Sequence, residues 1–68
     1  MFINLQKEMI NADIGKKELA ESIGISYNTF RNKIRGISEW RISEMLEIQR
    51  ILGSITKDQK TIDYLFKM

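Results

Sequence analysis

The stretch Lys16–Gly36, KKELAESIGISYNTFRNKIRG, decides the fold. Leu19, Ala20 and Ile23 mark the inner side of a short helix over Lys16–Ile23. Gly24 closes it, because a left-handed residue is needed there and a side chain would clash. Ile25 plugs the turn, and Ser26 is a preferred cap for a second helix over Ser26–Arg35. That helix points Phe30 and Ile34 inward and stops at Gly36. Its other side carries Asn28, Arg31, Asn32 and Arg35, and the stretch Ser26–Gly36 contains no acid.

On the amino-terminal side, Asn4 is expected to cap a first helix whose inner stripe is Leu5, Met9 and Ala12, widened by Ile10. Phe2 and Ile3 precede that cap and are expected to fold back as a staple. Asp13-Ile14-Gly15 interrupts the pattern, and Gly15 caps the next helix. On the carboxyl-terminal side, Ile37–Arg41 is a loop holding the only tryptophan, Trp40, which is expected to be core. A fourth helix is predicted over Ile42–Leu52, with Ile42, Met45, Leu46, Gln49 and Leu52 along one stripe, Ile48 and Ile51 widening the apolar arc so that the helix is gripped on two sides, and Gly53 as its stop. Thr56 with Gln59 forms a capping-box pattern for a fifth helix, about Lys57–Lys67, with Ile62, Leu65 and Phe66 apolar. No proline, repeat or linker divides the chain. The prediction is all-α: a compact bundle of five short helices forming one domain over residues 1–68.

Composition narrows the function. A chain of 68 residues holds one domain at most, and 43% hydrophobic content suits a folded core rather than disorder. No apolar run approaches the ~20 residues of a membrane span, and MFINLQKEM is too polar for an export signal, so a cytoplasmic location is expected. Cysteine and histidine are both absent. That removes disulfides, the usual transition-metal ligands and the commonest general base. Ser22, Ser26, Ser38, Ser43 and Ser54 have no histidine to activate them. The expectation is a protein with no enzymatic activity, cofactor, metal or small-molecule ligand.

Net charge is only +2, but it is unevenly spread. Residues 1–14 carry −1, residues 15–41 carry +3 and residues 42–68 carry zero. A local basic face is the footprint of a phosphate backbone, although a solvated helix face explains the charge alone equally well. Lys16 and Lys17 oppose the dipole at a helix start, a penalty that a phosphate docked there would reverse. Asn and Arg are the side chains that pair bidentately with adenine and guanine edges. Tyr27, in the first turn, suits a thymine methyl or a phosphate, and Lys33 and Arg35 suit phosphate.

Taken singly these residues fit a solvated face; their placement changes the balance. The spacing Leu19-Ala20-x-x-Ile23-Gly24-Ile25-x-x-x-x-Phe30 resembles the helix-turn-helix signature, at about residues 16–35. Beyond it, Thr29, Asn32, Lys33, Ile34, Gly36, Ser38, Trp40, Leu52 and Gly53 match a run found in the lambda-repressor-like (Cro-type, XRE) family of small phage and Gram-positive regulators. Gly15 and Arg41 depart from it, standing where Ser or Thr caps are common. The resemblance implies a DNA-binding transcriptional regulator, working as a homodimer on a palindromic double-stranded operator. By motif position it implies base reading by Tyr27, Asn28, Arg31 and Asn32. It implies phosphate contacts from Lys16 and from the Arg35–Arg41 segment; position on their helices adds Lys17 and Lys33 to that set. The competing expectation is a helix-turn-helix adaptor, antirepressor or antitoxin acting through protein contacts.

Overall fold

Five α-helices and no strand make up the computed structural model, which describes residues 1–68. They are α1 (Ile3–Asn11), α2 (Lys16–Ile23), α3 (Tyr27–Ile34), α4 (Ile42–Thr56) and α5 (Ile62–Leu65). The first three end by one device. Asp13, Gly24 and Gly36 take φ of 55°, 79° and 83°, in the left-handed region. Around each, two crossed backbone hydrogen bonds collect the last carbonyls. Ile14 donates to Met9 and Asp13 to Ile10; Ile25 to Ala20 and Gly24 to Glu21; Ile37 to Asn32 and Gly36 to Lys33. The chain therefore turns sharply within a few residues while the helix ends stay satisfied.

The all-helical architecture agrees with the sequence; its outer parts do not all sit where the pattern put them. Phe2, Leu5, Met9 and Ala12 are buried along α1, but Ile3 and Ile10 lie outside, 69% and 79% exposed. Asn4 lies inside α1 rather than before it, and its side-chain amide donates to Tyr64 O at 2.9 Å, tying α1 to α5. A long-range partner has replaced the local cap.

In α4 the side of the apolar arc that carries Ile48 and Ile51 is the inner one, and the Ile42–Leu46 edge is not. Glu44, Ile48 and Leu52 are the buried positions, with Met45 and Ile51 packed beside them, while Ile42 and Leu46 are exposed. The helix also runs through Gly53 to Thr56 and closes at Lys57, whose φ is 61°. Gly53 is not a stop but a site of close approach. A Cβ there would meet Gln59 Cβ at 3.2 Å and its Cα at 3.3 Å, so the absent side chain makes room for the returning chain. Gln49 holds the same segment by donating to Lys60 O at 2.8 Å.

Thr56 does not cap a fifth helix, because its hydroxyl is used at the end of α4, donating to Leu52 O at 2.9 Å. The cap falls instead on Thr61, which accepts from the Tyr64 N–H at 3.1 Å, and α5 shrinks to Ile62–Leu65. Leu65 is fully enclosed there. Of the three left-handed closures of α1–α3, only Asp13 carries a side chain, at a backbone conformation that favours glycine. Asp13→Gly is expected to raise stability by about 0.5–1 kcal/mol, read as a higher denaturation midpoint with an unchanged denaturant slope.

Candidate nucleic-acid interface

The α2–α3 pair is fixed from both ends. Glu18 reaches back to accept the Gly15 N–H at 3.4 Å, which compensates for the missing Ser or Thr cap. Ser26 accepts the Thr29 N–H at 3.1 Å and donates its own hydroxyl proton to Thr29 Oγ1 at 2.9 Å. Between these ends Leu19, Ala20 and Phe30 have no exposure and Ile34 has 1%. Ala20 is small enough to let the helices approach, and α2 packs on both α3 and α4. The inner faces leave α3 little freedom to roll, so its outer face is presented in one orientation.

That outer face carries the four residues expected to read bases. Tyr27, Asn28, Arg31 and Asn32 are all exposed. None of their side chains takes part in an intramolecular hydrogen bond or ion pair; the side-chain bonds made by this helix belong to Ser26, Thr29 and Lys33. Lys17, Arg35 and Arg41 are exposed and Lys16 is half-buried. The chain's three ion pairs, Lys33–Glu44, Arg50–Glu47 and Lys60–Asp58, leave all four of these cations without a carboxylate partner.

Lys33 parts from the group. It is buried, and its ammonium donates to Glu44 Oε1 at 2.5 Å and lies 5.9 Å from the centre of the Trp40 ring. Glu44 Oε1 also accepts the Arg41 N–H at 2.9 Å. One carboxylate thus joins the last turn of α3 to the first turn of α4. The expectation of a phosphate contact at Lys33 is corrected, since its charge is already spent inside the fold. Sequence reading missed Glu44 as the partner, although a glutamate three residues after Arg41 is a helix-start signal.

Trp40 is core, as its placement in a loop among polar neighbours suggested. Its ring meets those of Phe30 and Phe66 edge-on at 5.4 Å and that of Phe2 at 6.2 Å. These contacts press the loop onto the bundle and set where Arg35 and Arg41 leave the surface. No family model, curated protein or solved structure matches this chain, so the character of the site rests on its own residues.

Burial pushes the Glu44 carboxyl up, but hydrogen bonds from Lys33 and the Arg41 N–H, with the charges of both residues, outweigh it. The net pKa lies below the ordinary 4.5. Because the folded value lies below the unfolded one, this stabilisation is complete above pH 4.5 and is lost as pH falls through the folded value. Glu47 is also held below its ordinary value, by its hydrogen bond from Arg50, so only a difference between variants is diagnostic. Glu44→Gln is expected to lower stability near neutral pH by roughly 1.5–3 kcal/mol. It is also expected to flatten the acid dependence of the thermal midpoint relative to the parent protein.

Proposed function

We propose that this protein is a sequence-specific DNA-binding transcriptional regulator of the Cro or repressor type. In this reading α2 and α3 are a helix-turn-helix, and α3 lies in the major groove of operator DNA. Tyr27, Asn28, Arg31 and Asn32 read base edges, while Lys16, Lys17, Arg35 and Arg41 hold phosphates on either side. The observation that carries the proposal is the outer face of α3. It is acid-free and exposed, and the donors and acceptors of these base-reading side chains are all left unused by the fold. A helix face designed only for solubility gains from mixed charge and intrahelical pairs; this one has Asn and Arg in groove-reading positions and no such pair.

Size supports two copies on DNA. The backbone spans 29 Å at its longest. Successive half-sites on one side of the duplex lie about 34 Å apart, so one copy covers one half-site and a palindrome recruits two. Of the apolar residues on α4 and α5 that could supply a dimer contact, Ile48 and Leu65 are fully enclosed and Phe66 packs on Trp40, whereas Ile55 is 48% exposed.

Selection of bound DNA from a random pool tests the proposal, with recovery of a symmetric motif as the expected result. Recovery of no motif would overturn it in favour of a helix-turn-helix adaptor or antitoxin. Arg31→Ala or Asn32→Ala is expected to cost about 1–3 kcal/mol at the selected site and to relax preference at one base pair. Lys16→Ala is expected to weaken all sequences alike and reduce the salt slope by roughly one. Competition binding at several salt concentrations separates these effects.

A further inference from the structure

The least explained surface of the molecule is the outer side of α1. Ile3 and Ile10 stand on it, 69% and 79% exposed, two helical turns apart. Two hollows meet along this side, of about 490 Å³ and 230 Å³, sharing Gln6 and Ile10. Together they form a furrow from Ile3 across Ile10 to the half-buried Ile14. Its side-chain cations are Lys7 at one end and Lys16 at the other, Met1 with its amino group lines the same hollow as Lys7, and no carboxylate lines the furrow. Neither lysine has an ion-pair partner.

We propose that this furrow docks an acidic amphipathic helix of another protein. Apolar side chains about two turns apart would cover Ile3 and Ile10, and carboxylates on the flanks would meet Lys7 and Lys16. Charge selects this occupant over a second copy of the chain. A two-fold pairing of α1 with itself centres on the midpoint between Ile3 and Ile10, which falls between Gln6 and Lys7. The two Lys7 ammonium groups would then face each other, and no acidic residue of the furrow could offset them. A partner bringing carboxylates removes that repulsion and satisfies both lysines. Because α1 packs on α4 and α5 and not on α3, docking there leaves the outer face of α3 uncovered.

The test uses two synthetic amphipathic helices, both with leucines at i, i+3, i+4 and i+7, one flanked by glutamates and the other by lysines. Each is titrated into the isotope-labelled protein and followed by backbone amide shifts, without DNA because Lys16 is also in the proposed phosphate set. The expected result is saturable shifts confined to α1 and the Asp13–Lys16 turn, with the glutamate peptide only. Ile3→Ser and Ile10→Ser, both at exposed positions, should keep the thermal midpoint and each weaken binding by about tenfold. Lys7→Glu should abolish the preference between peptides. Equal binding of the two peptides, or of neither, would overturn the proposal. So would shifts that grow with protein concentration alone, which indicate a second copy, or shifts produced by phosphatidylserine vesicles in place of peptide. Failure here leaves the reading of α3 intact, because the random-pool selection judges that reading separately.

Discussion

Everything in this small bundle leans on the Trp40 ring. It receives the edges or faces of Phe2 from before α1, Phe30 from α3 and Phe66 from after α5. Each such aromatic pair is worth about 0.5–1.5 kcal/mol beyond the area it buries, a large share where total stability is small. The indole N–H has no hydrogen-bond partner among the protein's own atoms. Lys33 and Glu44 complete the arrangement from the polar side, one over the ring and the other at the start of α4.

This junction also sorts the charges. The basic excess around α3 is less than the sequence count implies, because Lys33 is turned inward to neutralise Glu44. What remains outward is Arg31 and Arg35 with the two asparagines, a face with fewer cations but more hydrogen-bonding variety. In energetic terms the buried pair orients rather than attracts. It fixes the α3–α4 loop, and through it the direction in which Arg35 and Arg41 leave the surface.

Legibility followed the range of the interactions involved. Gly24, Ser26, Phe30 and Ile34 announce α2, its turn and α3 through neighbours only a few residues away, and the structure has these elements at the expected bounds to within a residue. Errors arose where a distant partner decides. Gly53 looks like a helix stop until Gln59 is seen lying against it. Asn4 looks like a cap until its amide is found on Tyr64 O, 60 positions away; Thr56 is the exception, because its hydroxyl is held by Leu52 O only four positions back. Lys33 looks like a surface cation because its partner is eleven positions away. Ile10, Ile42 and Leu46 misled for the opposite reason: apolar side chains continue the periodicity of a core they do not enter. The outer residues of α3 were legible as a face, since helical spacing alone places them together, whereas their chemistry was an argument from residue type.

The contacts between the two ends of the chain have a kinetic meaning. Asn4 bonds to Tyr64 across 60 positions and Tyr64 to Glu8 across 56, whereas α2 meets α3 through a three-residue turn. Closing a loop of about 60 residues costs roughly 2 kcal/mol more entropy than closing one of about 8. Assembly is therefore expected to begin in the α2–α3 hairpin and to end with α1 and α5 clasping each other. The same entropy argument makes the clasp the seam expected to open first. A transient opening exposes Phe2 and Phe66 while the helix pair beneath keeps its angle, so the most persistent part of the molecule is also the part that faces outward.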